Sequence, residues 1–422
     1  MTGARQALAF AAVAVALSLA GCGGQDSRSI IGPPPSSTAN VQAIQVNTGP
    51  TAQAGDYPYT NGAFTSVTLC VPGTTTCQTI GGILVDTGSE GLRVLNSALT
   101  LSLPQQTQGG NPVGECFPFV GAVTWGPVES ADVEMAGEKA SGVPIQVIGG
   151  SGSFSAVPSP SCTDMGAPEQ DLYDLGANGI LGVGPFAQDC GSGCMTNGSS
   201  NLGWYYACPS SGCQQTTENL ANQVVNPVAD FSTDNNGVVI VLPAITSSPP
   251  VATTVNGSLI FGIGTQSNNK LGSATVFQAD PNTGNISTVF NNVTYNGVSF
   301  LDSGSGANFF ADPTTANIPA CSNSNTSGLY CPSNDQGFSA TNFGVSGTSG
   351  TFTFTVENAD NLFSQYSTSA AFGDLGGPST TTAGPSNYDY FDWGLPFFYG
   401  RTVFTAIEGI GTPAGPGPYY AY

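Results

Sequence analysis

From about Val41 to the C-terminus, short runs of Val, Ile, Thr and Phe alternate with clusters of Gly, Asn, Ser and Pro. "FTSVTLCV", "GGILVDTG", "GVVIVLPA", "GSLIFGIG", "NGVSFLDSG" and "GTFTFTVEN" have the length, the β-branched content and the turn-residue boundaries of strands. Long helical periodicity is scarce. Its best candidate, "TTENLANQVVNPV" (Thr216–Val228), is interrupted by Pro227, which lacks an amide donor and crowds the preceding turn. The pattern predicts an all-β protein. The chain is too long for one small sandwich, so two β lobes are expected, residues 41–246 and 247–422, parted near "SSPPVATTVNG" (Ser247–Gly257).

An internal repeat supports two lobes. "NGVSFLDSGSGANFF" (Asn296–Phe310) follows the pattern of "GGILVDTGSEGLRVL" (Gly81–Leu95): apolar strand, Asp, Thr or Ser, Gly, Ser, then apolar residues again. Asp86 and Asp302 lie about half a chain apart, and each has a similar follower. "NGILGVGPF" comes after the first and "FDWGLPFFYGRTVFTAI" after the second. The same order of parts in both halves implies duplication of one lobe.

A carboxylate at the end of a buried strand is costly unless it is hydrogen-bonded or shares a proton. Two such carboxyls brought together cannot both ionise cheaply and titrate as a pair. The ionised member can then take a proton from water while the protonated one donates to a carbonyl oxygen. Composition leaves room for that chemistry and little else. The chain has no His, which removes Ser-His-Asp and Cys-His hydrolases and disfavours zinc. Six Lys plus Arg against 27 Asp plus Glu give a formal charge of −21, which argues against nucleic acid and anionic head groups. No phosphate-cradling Gly-Lys-Ser/Thr loop is present, and the acidic residues lack the spacing of a calcium loop, so neither cofactor nor metal is expected. With few positive groups left once the carboxylates neutralise, acid unfolding is muted, a trait shared with generic acidic exported proteins.

The first residues read as an address. Arg5 precedes an apolar run, Ala7–Ala20, too short to span a bilayer comfortably, and "LAGC" ends at Cys22. This resembles a bacterial lipoprotein signal, and it implies a signal peptide over 1–21 and lipid on Cys22. A Gly/Pro/Ser-rich tether over 22–40 would follow, on a chain held at the cell envelope, by resemblance the outer membrane. The remaining ten cysteines form an even set, which in an exported chain predicts five disulfides. Connectivity is not readable, though the Cys70/Cys77 and Cys321/Cys331 spacings suggest local staples. Cys190, Cys194, Cys208 and Cys213 imitate a four-thiolate metal site, and the oxidising compartment favours disulfides there.

The paired Asp-Thr-Gly-Ser and Asp-Ser-Gly-Ser motifs, each with its apolar-apolar-Gly follower, resemble the pepsin-like aspartic peptidases. "GILGVG" (Gly179–Gly184) and "WGLPFFYGRTVFTAI" (Trp393–Ile407) resemble the segments that close the two ψ-loops of that family, and "NGSLIFGIG" (Asn256–Gly264) the strand opening its second lobe. The resemblance implies a bilobal pepsin-like all-β architecture with Asp86 and Asp302 as catalytic residues. Thr87 and Ser303 would lock the loops, Ser89 and Ser305 would bind the outer carboxylate oxygens, and Gly88 and Gly304 would let backbone N–H groups approach. The family's flap tyrosine has no counterpart in "CFPFVGAVTWGPVESADV" (Cys116–Val133), where Phe119 and Trp125 either shield the pair or pack the hairpin. Glu90 and Arg93 depart from the family pattern; they either pair locally or Glu90 disturbs the titration of the aspartates. The implied activity is acid endopeptidase on protein or peptide substrates, in a monomer that meets the membrane only through its lipid. The alternative is a non-catalytic envelope protein holding a peptide or glycan in the same cleft.

Overall fold

A computed structural model describes residues 39–50, 59–198, 200–379 and 389–422. The expected signal peptide, Cys22 and nearly all of the tether lie outside these residues. Strands dominate, and the longest α-helix among the described residues is Ala359–Gln365. The helical candidate Thr216–Val228 holds only the 3-10 turn Leu220–Asn222, and a second such turn starts at Pro227 with Asn226 as its cap. Pro227 takes the first position of that turn, where its missing N–H costs nothing.

In the first lobe, strand Cys77–Asp86 runs antiparallel to Gly62–Cys70 and parallel to Gly179–Val183. Gly179–Val183 lies between that strand and Glu90–Leu95, which it pairs antiparallel. Its five residues are all buried, because a strand covered on both faces has no polar side to present. The second lobe repeats the device. Phe391–Trp393 lies between Val293–Leu301, parallel, and Asn308–Phe310, antiparallel. Ile286–Phe290 leads into Val293–Leu301 through Asn291-Asn292, both at positive φ (47° and 63°), the tight hairpin turn that asparagine tolerates best.

A sheet joins the halves. Val41–Asn47 pairs with Val255–Phe261, which pairs with Gly237–Leu242, then Arg401–Ala406, then Tyr419–Ala421. Strands from both sides of residue 246 therefore share this sheet, and residues 243–254, which include the short strand Val251–Ala252, join two of its neighbours. One apolar core runs from Ile44 through Val85 and Leu181 to Leu301, Phe310 and Tyr420. The second-lobe part is aromatic: Phe310 and Phe391 stack at 5.4 Å, and Phe391 meets Trp393 at 4.6 Å. The ten cysteines pair as Cys70–Cys77, Cys116–Cys162, Cys190–Cys194, Cys208–Cys213 and Cys321–Cys331. The four-thiolate spacing thus resolves into two short staples.

Candidate active site

Each aspartate stands where a buried strand stops beside a glycine. Asp86 is in register with Gly182, and a Cβ on that glycine would lie 2.6 Å from the Glu90 carbonyl carbon. In the second half a Cβ on Gly394 would lie 2.0 Å from the Ala307 carbonyl oxygen. Only glycine lets the follower strand slide behind the motif turn. That packing aims both turns at the same point.

Four hydrogen bonds tie the turns together. Thr87 Oγ1 donates to the Leu301 carbonyl at 2.9 Å and Ser303 Oγ to the Val85 carbonyl at 2.7 Å. Ser303 N–H donates back to Thr87 Oγ1 at 2.9 Å and Thr87 N–H to Ser303 Oγ at 3.1 Å. All four are buried, where such bonds are costly to break. Gly88 N–H then reaches Asp86 Oδ1 at 2.8 Å and Ser89 Oγ reaches Oδ2 at 2.5 Å. Gly304 N–H reaches Asp302 Oδ1 at 2.7 Å and Ser305 Oγ reaches Oδ2 at 3.0 Å. Each glycine also faces the opposite aspartate: a Cβ on Gly88 would lie 2.5 Å from Asp302 Cγ, and one on Gly304 would lie 2.8 Å from Asp86 Cγ. The two carboxyls thus face each other across these glycines, and a side-chain hydrogen bond with Asp86 is among the influences on Asp302. Burial, first, and then the neighbouring Asp86 charge hold Asp302 well above the usual carboxylate range. So two carboxyls that cannot both ionise cheaply sit together in one set of donors.

The aspartates open onto a cleft of about 470 Å³ whose walls include Tyr59, Leu84, Phe117, Phe119, Leu175, Ile180 and Phe300. Residues Cys116–Val133 fall in a hairpin, with Cys116 opposite Trp125 and its tip at 119–121. Phe119 lines the cleft near that tip, packed edge-on to Phe117 at 4.9 Å, and Val120 beside it is 81% exposed. Trp125 does not. It is fully buried against Phe154 and Tyr206, with Nε1 donating to the Phe154 carbonyl at 3.2 Å, because its register turns it to the hairpin's inner face.

Arg93 does not pair with the Glu90 side chain either. Its guanidinium contacts the Glu90 backbone carbonyl at 2.5 Å, Glu115 at 3.0 Å and Asp189 at 2.9 Å, and it lies 3.5 Å over the Phe117 ring. A buried guanidinium must have its several N–H donors met, and Glu115, Asp189 and the Glu90 carbonyl supply the acceptors. The Glu90 carboxyl is left with the Phe186 N–H at 3.3 Å, and burial pushes it up to about 8 despite that bond.

Three residues at the site have no place in the motif reading. Tyr59 lines the cleft beside both aspartates, and burial followed by their charges raises its phenol. Asn61, fully buried at φ 55°, donates to the Gly306 and Phe372 carbonyls and accepts from Tyr399. Asp392 lies in the follower strand, 3% exposed, with its Oδ2 at 2.6 Å from Ser305 Oγ. A carboxylate two positions before Gly394 in an otherwise apolar strand is the signal that could have marked it.

The model of a family described as "Protein of unknown function (DUF3443)" matches residues 36–422. No curated protein matches the chain in sequence. Among solved structures, the crystal structure of aspartic proteinase from Irpex lacteus superposes with a TM-score of 0.52. The alignment has 15% identity and covers 90% of this chain and 96% of that one. At that identity the likeness concerns the fold, which is pepsin-like and all-β.

Proposed function

This chain belongs to the DUF3443 family, and we propose that it is an aspartic endopeptidase working through Asp86 and Asp302. The observation that carries the reading is the pair itself: one carboxyl from each half, each held by a Gly N–H and a Ser hydroxyl, in mutual reach at the floor of a cleft. A water held between them gives its proton to the ionised carboxyl and attacks the peptide carbonyl, while the protonated carboxyl donates to the carbonyl oxygen. Neither metal nor covalent nucleophile takes part. Because the pair must hold one proton, activity belongs below neutral pH. The apolar walls favour substrates with large apolar side chains beside the cleaved bond. We propose further that the lipid on Cys22 anchors the protein, as a monomer, to a bacterial envelope, where it meets proteins or peptides.

The rival reading, a binding protein that holds a peptide or glycan in the cleft, is favoured by one observation. The hairpin over the aspartates presents Phe117 and Phe119 and no tyrosine. Digestion of a denatured protein from strongly acidic to neutral pH separates the two. The peptidase reading requires cleavage that disappears in both Asp86→Asn and Asp302→Asn while the fold persists. Full activity in either variant overturns it.

A further inference from the structure

Ser305 Oγ lies 3.0 Å from Asp302 Oδ2 and 2.6 Å from Asp392 Oδ2. A serine hydroxyl has one proton, so it donates to one carboxyl and must accept from the other. Accepting requires that the second carboxyl be protonated; otherwise two bare oxygens face each other at hydrogen-bonding distance. The first lobe offers no such conflict, since among the described residues Ser89 Oγ meets Asp86 alone.

Asp392 is the member whose surroundings suit a neutral acid. It is 3% exposed, flanked in register by Phe300 and Phe309. The titratable groups that act on it or feel its charge are Asp302 and Asp86 across Ser305, Tyr390 just before its own strand and Tyr420 from the C-terminal strand; no described cation is among them. Its Oδ1 is buried with no hydrogen-bond partner among the described residues. An unpartnered oxygen is tolerable on a neutral carboxylic acid and far costlier on a carboxylate. Asp302 Oδ1, by contrast, accepts the Gly304 N–H. Burial, chiefly, and the Asp86 charge after it hold Asp392 well above the ordinary range against the pull of the Ser305 bond.

We propose that Asp392 is a positioning residue that keeps its proton and donates it to Ser305 Oγ, which commits the serine proton to Asp302 Oδ2. Two hydrogen bonds in series polarise each other, so Asp302 is served by a stronger donor than a lone serine. The ionised form of the aspartate pair is favoured accordingly. The effect on turnover rests on the peptidase reading, whereas the proton on Asp392 does not.

Infrared difference spectra of the full chain at neutral pH test the proton directly. Subtracting Asp392→Asn from the wild type should reveal loss of a protonated-carboxyl band; loss of a carboxylate band overturns the proposal. Activity tests the positioning. Asparagine can still donate to Ser305, so Asp392→Asn should keep kcat within about threefold and both limbs of the pH profile within about 0.3 unit. Asp392→Leu fills the same apolar site without a donor, and it should raise the acid limb by about half a unit and lower kcat roughly tenfold even where Tm rises. A merely structural role predicts the reverse order, so a leucine variant with wild-type kcat and unmoved limbs overturns the idea. So does an asparagine variant whose alkaline limb falls by about a unit or more, which removal of an ionised neighbour would produce. Should both variants fail to fold, Ser305→Ala decides: the protonated band must move as its acceptor is lost, and an unmoved band overturns the assignment. A wild type with no peptidase activity would sink the peptidase reading and leave the infrared arm to judge Asp392.

Discussion

Replacing Thr87 by Val keeps the side chain's shape and deletes the hydroxyl that ties the two motif turns together. Thr87 is 1% exposed, so no water replaces what is lost. Two of the four locking bonds go: the one to the Leu301 carbonyl and the one from Ser303 N–H, both 2.9 Å. A buried polar group stripped of its partner costs about 1–3 kcal/mol, and two such groups give a destabilisation on the order of 3 kcal/mol. Ser303→Ala strips the mirror pair, the Val85 carbonyl and Thr87 N–H. The two hydroxyls form one network, so the double variant should cost less than the sum, with a coupling of about 1 kcal/mol or more. Urea unfolding of the disulfide-intact wild type, both single variants and the double variant at one acidic pH measures all four values. The aspartates are positioned by these turns, so each single variant should also lose roughly tenfold or more in kcat with KM little changed. Additive stability changes below about 0.5 kcal/mol would refute the claim that this network holds the carboxyls together.

Other outcomes follow from the buried charges and the tight contacts. Glu90, carried from an ordinary 4.5 up to about 8 by burial, binds its proton more tightly in the folded state. Its stabilising effect is complete below its unfolded value and is lost as pH rises through 8, so unfolding free energy should fall across that window by an amount on the order of 5 kcal/mol. Glu90→Gln should flatten that fall, and a slope unchanged in a pH series of urea curves would contradict the assignment. Arg93→Met leaves Glu115 and Asp189 facing each other in a dry site. It should cost about 3–5 kcal/mol near neutral pH and less in acid, where those carboxyls protonate; equal loss at both pH values would disprove the cause. Gly182→Ala forces a methyl into the Glu90 backbone at 2.6 Å and should abolish folding or activity; an active, stable variant would show that the ψ-loop has slack. Phe119→Ala removes a wall of the cleft, and with peptide substrates it should raise KM more than it lowers kcat, which steady-state kinetics reads directly.

What was readable in the sequence is what recurs in it. Asp-Thr-Gly-Ser, Asp-Ser-Gly-Ser and the two glycine followers are short, local and duplicated, and their hydrogen bonds join atoms a few residues from each aspartate. Their meeting point needed no long-range inference, because two copies of one turn can lock only symmetrically. The flap residues were less legible: strand alternation divides Phe119 from Trp125, and which face is inner depends on the loop carrying Phe154 and the Cys116–Cys162 bridge. Arg93 was misleading for a related reason. Its acceptors come from residues 115 and 189, and nearness in sequence to Glu90 hides the fact that a buried guanidinium seeks several of them. Tyr59 and Asn61 lie outside any motif, in a segment whose role is set by the opposite half of the chain, since the Asn61 side chain bonds residues 306, 372 and 399. Asp392 differs from all of these. It sits within the repeat, but it breaks the symmetry, for the first-lobe follower has Ile180 at the corresponding position before Gly182. Duplication draws the eye to what the halves share, whereas their difference marks where one half acquired chemistry of its own: a third carboxyl, with room for a proton, behind one of the two aspartates.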